Sequence, residues 1–260
     1  MTARPDAFSP DVAVSVLSRL RERAPRVHCI TNAVAQSFTA NVLLALGAIP
    51  SMTIAPEEVA TFAASADALL VNLGTLDERR RQAIPAALEA ARAAGKPIVL
   101  DPVFVNRSPV RCAYADQLLS DPPTLLRANR EEVESLFPGE EPARAARTGG
   151  FTLAMTGSED LICGANATLR LANGHPLLSR VTATGCAGGA VMAAFLSIEP
   201  DPVIASAVAL SVFNIAGEIA AERARGPGSL VPELLDALYG VDETALKSRL
   251  KFVDLNLGGS

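Results

Sequence analysis

Asp67-Ala68-Leu69-Leu70-Val71-Asn72-Leu73 is an apolar run bracketed by polar residues, and Gly74-Thr75 after it opens a helical pattern over 77–94. A strand buried on both faces reads this way, as a near-continuous hydrophobic run instead of an alternating one. Gly95 supplies the glycine that helix C-termini favour, and Lys96-Pro97-Ile98-Val99-Leu100-Asp101 begins a second buried strand. Strand, polar tip, helix, strand is the grammar of a parallel sheet covered by helices.

The same grammar continues on both sides. Upstream, Val27-His28-Cys29-Ile30 precedes Thr31-Asn32 and a helix over 36–46, and a strand over 49–54 leads to Pro56-Glu57-Glu58. That triplet suits a first helical turn, since Pro fits N1 and acids favour the positive end of the helix dipole. Downstream, Thr124-Leu125-Leu126-Arg127-Ala128 is followed by a helix over 131–136. The pattern changes once, where 152–155, 160–163 and 168–171 read as short strands joined by Gly157-Ser158 and Gly164-Ala165-Asn166, a hairpin-like sheet edge. Helices return over 185–196, 202–224, 231–239 and 243–250, before a terminal strand over 252–255. No repeat or linker interrupts the series, so residues 1–260 are expected to form one domain.

Composition agrees with this class. Of 260 residues 49% are hydrophobic but only 4% aromatic, without Trp, so the core must be built from Ala, Val, Leu and Ile. The net charge of −5 lies spread along the chain, which disfavours nucleic acid as a partner. Arg19-Leu20-Arg21-Glu22-Arg23 and Arg79-Arg80-Arg81 read as solvated helix faces. Cys29, Cys112, Cys163 and Cys186 form no C-x-x-C pair and point to reduced thiols in a cytoplasm. Met1-Thr2-Ala3-Arg4-Pro5-Asp6 lacks the apolar stretch of a signal peptide, and Ser206, Ser211 and Asn214 break the apolar run 203–217, so no membrane span is expected.

Ligands of open α/β sheets bind at the carboxyl ends of the strands, which directs attention to Asn32, Asn72, Gly74, Asp101, Asn129, Glu132, Thr156 and Gly157. The most informative run is Val181-Thr182-Ala183-Thr184-Gly185-Cys186-Ala187-Gly188-Gly189-Ala190, which enters an apolar helix. It has two readings: a helix N-terminus whose amides hold a phosphate without a Walker lysine, or small residues that only let the helix pack closely. Under the first, Cys186 sits in the opening turn, where a thiol's pKa is lowered; under the second it is a small buried hydrophobe. Asp101 and Glu132 are placed either to hold Mg²⁺, directly or through water, or to serve as turn and cap residues. Arg127 reaches either a nucleotide phosphate or a surface ion pair. His28 and His175 have no Cys or His cluster near them in sequence, which argues against zinc. A G-x-S-x-G elbow and a G-x-G-x-x-G after the first strand are both missing, which disfavours a serine hydrolase and a Rossmann dehydrogenase.

Taken together, these motifs resemble the hydroxyethylthiazole kinases of the ribokinase-like superfamily. The likeness runs through Val27-His28-Cys29-Ile30-Thr31-Asn32, Phe38-Thr39-Ala40-Asn41, Met52 with Glu57-Glu58-Val59, Asn72-Leu73-Gly74-Thr75-Leu76 and Asp101-Pro102-Val103. It continues through Arg127 with Asn129 and Glu132, Met155-Thr156-Gly157, Asn173-Gly174-His175-Pro176 and Thr184-Gly185-Cys186. The resemblance implies a three-layer α/β/α fold with a mostly parallel sheet and no separate lid domain. It also implies transfer of phosphate from ATP, with Mg²⁺, to 4-methyl-5-(2-hydroxyethyl)thiazole in thiamin salvage, by a homotrimer with the thiazole near a subunit boundary.

By position, Asn32, Met52, Gly74 and Ala183 would line the thiazole, and Arg127, Thr156 and Thr182 would contact ATP. Asp101 and Glu132 would serve the metal, and Gly185 and Cys186 would form the catalytic turn, with Cys186 where related sugar kinases carry an aspartate base. The chain departs from the family in having Ala183 for a usual Gly, and Phe104-Val105-Asn106-Arg107-Ser108 for a run of small residues. Arg107 then either adds charge near the phosphates or faces solvent. Alternatives are a related kinase for a hydroxymethylpyrimidine or pyridoxal type of alcohol, and a catalytically weak thiazole- or nucleotide-binding module.

Overall fold

The structure, a computed structural model, describes residues 8–255. The opening stretch Met1 to Asp6, read above for signal-peptide character, lies outside the described residues. Among the described residues nine strands form one sheet: β1 (Arg26–Ile30), β2 (Ile49–Ser51), β3 (Ala68–Asn72), β4 (Ile98–Asp101), β5 (Leu125–Asn129), β6 (Thr152–Thr156), β7 (Asp160–Cys163), β8 (Thr168–Leu171) and β9 (Phe252–Asp254). Their order is β2-β1-β3-β4-β5-β6-β7-β8-β9. The pairs from β2 to β6 are parallel and those from β6 to β9 antiparallel, so the expected hairpin-like edge is present.

Helices cover both faces because the central strands alternate two apolar sets. Leu70, Val99 and Leu125 point into one core, with α1 (Pro10–Arg23), α2 (Gln36–Leu46), α8 (Thr184–Leu196), α9 (Pro202–Arg223), α10 (Pro227–Gly240) and α11 (Glu243–Arg249). Leu69, Val71, Leu100 and Leu126 point into the other, with α3 (Val59–Ser65), α4 (Glu78–Ala93), α5 (Pro109–Leu119), α6 (Arg130–Leu136) and α7 (Pro142–Gly149). This is a three-layer α/β/α arrangement, with no separate lid domain among the described residues. At roughly 25 cal/mol per Å² of apolar surface, each fully buried Leu in these layers adds about 2 kcal/mol of transfer free energy. Among the described residues, α9 alone has the length and hydropathy to cross a membrane, and 78% of its most apolar window is buried inside the molecule. It is therefore a core helix.

Three local expectations need correction. The strand after residue 49 stops at Ser51, because as the sheet edge it has only β1 to pair with. Pro56-Glu57-Glu58 forms a turn and α3 starts at Val59; Glu58 instead accepts a hydrogen bond from the Thr53 hydroxyl. The arginine clusters are not merely solvated: Arg80 is only 4% exposed and donates to the Thr31 carbonyl and Asp77, while Arg21 donates to the carbonyls of Leu238, Tyr239 and Val241 at the end of α10.

Candidate active site

The carboxyl ends of five neighbouring strands each deliver one polar side chain to a single hydrogen-bonded line. Asn32, just past β1, donates from Nδ2 to Asn72 Oδ1 (3.3 Å) and to Cys186 Sγ (3.1 Å). Asn72 closes β3 and donates to Asp101 Oδ2 (2.6 Å), while its Oδ1 also accepts the Gly74 N–H (3.0 Å). Asp101 closes β4 opposite Asn72 in register and accepts from an Arg127 guanidinium nitrogen (3.3 Å). Arg127 on β5 donates in turn to the Thr156 hydroxyl at the end of β6 (2.8 Å). A carboxylate only accepts, so it orients Asn72 with its amide nitrogen toward Asp101 and its oxygen toward Asn32 and Gly74. The line begins beside the switch point where β2 and β3 flank β1.

The opening turn of α8 lies over this line. A Cβ on Gly185 would fall 2.8 Å from an Arg127 nitrogen, so glycine is what lets the turn and the guanidinium approach. Gly189 faces Leu70 and Asp101, so the small-residue run both packs the helix on the sheet and opens its N-terminus. The N-cap, Ala183, has φ +70°, a left-handed conformation that L residues occupy at a cost of about 1–2 kcal/mol. Beyond Gly185 lies a cavity of about 570 Å³, bordered on this side by Arg127, Thr156, Gly157, Thr184 and Gly185. Its size suits a nucleotide-class ligand.

The family model for "Hydroxyethylthiazole kinase family" matches residues 17–144 and 140–244. This chain belongs to that family. The hydroxyethylthiazole kinase of Granulibacter bethesdensis is 42% identical over 265 residues, covering 95% of this chain and 96% of the relative. The structure of hydroxyethylthiazole kinase protein from Pyrococcus horikoshii OT3 superposes with a TM-score of 0.91 at 40% identity, over 94% of this chain and 99% of that one. A ribokinase-like superfamily protein from Enterococcus faecalis V583, 14% identical with a TM-score of 0.66 over 93% of this chain and 100% of its own, shares the fold.

Within the hydroxyethylthiazole kinase fold, the electrostatics turn on burial. Asp101 is fully buried, and that raises its pKa to about 6; the Arg127 charge opposes the rise and Glu132 adds to it. Burial works against the Arg127 charge, but Asp101 and Glu132 outweigh it and hold the guanidinium above its ordinary value. The expected lowering of the Cys186 pKa is overturned: it is pushed up to about 11, chiefly by burial and then by Asp101, against the hydrogen bonds from Asn72 and Asn32. Loss of water around the sulfur outweighs the field of the helix terminus, so Cys186 is a neutral thiol at pH 7.

The remaining site expectations sort by position. Arg127, Thr156 and Gly185 border the cavity; Asn32, Gly74, Asp101 and Cys186 belong to the hydrogen-bonded line or touch it. Gly74 is pressed against Asn32, where a Cβ would fall 2.7 Å from the Asn32 Cβ. Met52 follows β2 half-buried against the core, and Thr182 is exposed and away from the cavity wall, which Thr184 occupies instead. Glu132 is 2% exposed; its two oxygens accept the N–H groups of Phe104 and Asn129 (2.8 Å each), completing a capping box for α6.

Both acids keep spare lone pairs, and Asp101 feels the Glu132 charge. Among the described residues no cluster of three metal-ligating side chains exists. That donor set fits Mg²⁺, which binds one or two carboxylates plus phosphate and water, better than a metal needing a protein cage. Arg107 is exposed, 5.8 Å from the Phe104 ring, and borders a groove of about 350 Å³ that shares Asn129, Thr156 and Gly157 with the main cavity.

Sequence reasoning missed the far wall of the cavity, where Asp160, Leu178, Met192, Leu210, Phe213 and Asn214 lie. One signal was present: Asn214 interrupts an apolar helix four residues after Leu210, which places both on one face.

Proposed function

We propose that the protein transfers the γ-phosphate of ATP to the hydroxyl of 4-methyl-5-(2-hydroxyethyl)thiazole, a salvage step toward thiamin. The observation that carries this reading is the position of the Gly185-Cys186 turn. Its glycine borders the nucleotide-sized cavity, while its thiol meets Asn32 at the end of the hydrogen-bonded line. Donor and acceptor would therefore meet across the N-terminus of α8.

Phosphoryl transfer has a loose transition state, so positioning and charge neutralisation matter more than a strong base. Arg127, held by Asp101 and Thr156, offers a fixed positive charge at the phosphate end of the cavity. The free amides of the first α8 turn are placed to receive charge as it develops on the transferred group; one such donor is typically worth 10²–10³ in rate. Asn32, Met52, Gly74 and Ala183 would shape the thiazole side, with Thr182 at the exposed edge of the turn. Mg²⁺, held by Asp101 and Glu132 directly or through water, would neutralise phosphate charge. The neutral Cys186 thiol orients the alcohol without acting as a base, and the hydroxyl proton passes late in the transfer to an oxygen of the arriving phosphoryl group.

The reading also takes the chain as one kinase unit acting in the cytoplasm as a homotrimer, in keeping with four free cysteines. The test is incubation with ATP, Mg²⁺ and the thiazole alcohol, with hydroxymethylpyrimidine and pyridoxal alongside, and mass detection of the phosphate esters. The thiazole ester should form fastest. Binding without ADP release would sink the reading in favour of a binding module, and a faster pyrimidine or pyridoxal ester would reassign the substrate. Light scattering of the same sample should give three times the chain mass.

A further inference from the structure

Among the buried polar residues of the otherwise apolar α9 there is one amide, and it sits in the cavity wall. The two buried serines of this helix return their hydroxyls to their own backbone, Ser206 to Pro202 (2.6 Å) and Ser211 to Ala207 (2.7 Å). Leu210, Phe213, Asn214 and Gly217 fall at i, i+3, i+4 and i+7, which is a single helix face. The first three border the cavity together with Leu178 and Met192. At Gly217 a Cβ would lie 2.7 Å from Leu178 Cδ1, so the glycine lets Leu178 close over this end. Four apolar side chains around one amide make a lining suited to a flat heteroaromatic ring with one polar edge.

Asn214 is only 9% exposed, and its amide is locked. Nδ2 donates to Asp160 Oδ2 (2.7 Å), and Asp160 Oδ1 accepts the Gly157 N–H (3.0 Å). A flipped amide would set two acceptor oxygens against each other at that distance. Asn214 lines the cavity, and no donor to its Oδ1 is found among the described residues. Oδ1 is therefore an acceptor left free for a ligand N–H.

We infer that Asn214 reads the nucleobase: its Oδ1 accepts a hydrogen bond from the 6-amino group of adenine, with Asp160 as the residue that fixes its orientation. This rests on the ATP-dependent reading proposed above and deepens it. Guanine carries a carbonyl oxygen at the same ring position, and that oxygen facing Asn214 Oδ1 leaves two acceptors unpaired. The enzyme should then prefer ATP over GTP by at least about thirty-fold in kcat/KM.

The test measures kcat/KM at saturating thiazole alcohol for ATP, GTP, purine riboside triphosphate (which lacks the 6-amino group) and 2′-deoxyATP. The wild-type protein should lose at least about thirtyfold with GTP, at least about tenfold with the purine analogue, and less than about threefold with 2′-deoxyATP. Asn214→Leu should lower kcat/KM for ATP and bring the ATP/GTP ratio within about threefold of unity. Asp160→Asn frees the Asn214 amide to turn its nitrogen toward the base, so GTP use should rise in absolute terms, an effect that mere loosening of the fold does not produce. Equal use of ATP, GTP and the purine analogue by the wild-type protein would overturn the inference alone. So would a loss confined to 2′-deoxyATP, which would move the contact to the ribose. No ester from any triphosphate would overturn the functional reading and this inference with it.

Discussion

Gly185→Ala should separate stability from activity, and both effects can be sized in advance. Gly185 is the second residue of α8 and has no left-handed φ, so Ala is conformationally acceptable there. In a helix Ala is favoured over Gly by about 0.5–1 kcal/mol, which for a chain of this size raises the melting temperature by roughly 1–4 °C. The new methyl, however, would lie 2.8, 3.2 and 3.3 Å from the two terminal nitrogens and Cζ of Arg127. The guanidinium must give way by about 0.5 Å to reach ordinary contact, pulling against its bonds to Thr156 and Asp101. If Arg127 binds phosphate as proposed, misplacement on this scale costs on the order of 10²-fold, or ~2.7 kcal/mol of transition-state stabilisation. The paired measurements are a thermal melt and a coupled ADP-release assay with ATP varied. A variant that melts at or above the wild-type temperature yet loses about 10²-fold in kcat/KM for ATP is the expected result. Wild-type kcat/KM in that variant would refute the placement of phosphate between Arg127 and the α8 turn.

Ala183→Gly removes about 1–2 kcal/mol of left-handed strain and adds about 0.4–1 kcal/mol of unfolded-state entropy cost, so a net gain of about 0.5–1 kcal/mol is expected; a lower midpoint in urea would contradict it. Cys186→Ala should lower kcat by about tenfold while leaving the rate profile between pH 6 and 9 unchanged in shape, because a thiol pushed up to about 11 does not ionise there; an unaltered kcat would remove the thiol from the reaction. His28, packed beside Ser51 Oγ (2.8 Å), has its pKa lowered to about 4, mainly by burial, against an unfolded value of about 6.5. Between these values the unfolded chain binds more protons, so this group makes stability fall as pH drops from 6.5 to 4, by up to about 3 kcal/mol. His28→Gln should flatten that slope in urea titrations at several pH values, and an unchanged slope would show that His28 is not the group responsible.

Much of the fold was legible because its signals are local. Continuous apolar runs such as 68–71 and 98–100 mark strands buried on both faces, and α2 and the three strands from 152 to 171 fell where their patterns placed them to within a residue. Helices α5 and α7 were not assigned, since α5 buries only Ala115 and shows little periodicity, while α7 is short and buries only Ala145 and Ala146. The candidate site was legible at the strand tips, where Asn32, Asp101, Arg127 and Thr156 stand one per strand. The roles of individual groups were not. Glu132 reads in sequence equally as a metal ligand or a cap and is a cap in three dimensions, Arg80 sits in a basic cluster and is buried, and the Cys186 thiol sits at a helix terminus and is nevertheless raised.

The residue order alone therefore settled the layer architecture, the family and the set of polar residues gathered at one end of the sheet, because hydrophobic periodicity and motif spacing are properties of neighbours along the chain. Register, burial and orientation came only with the folded molecule. Which atom of the Asn214 amide is left free, the oxygen or the nitrogen, depends on Asp160, fifty-four positions away along the chain. Whether Cys186 is charged depends on how much water the packed layers exclude, and desolvation is a sum over surroundings that no segment of sequence contains.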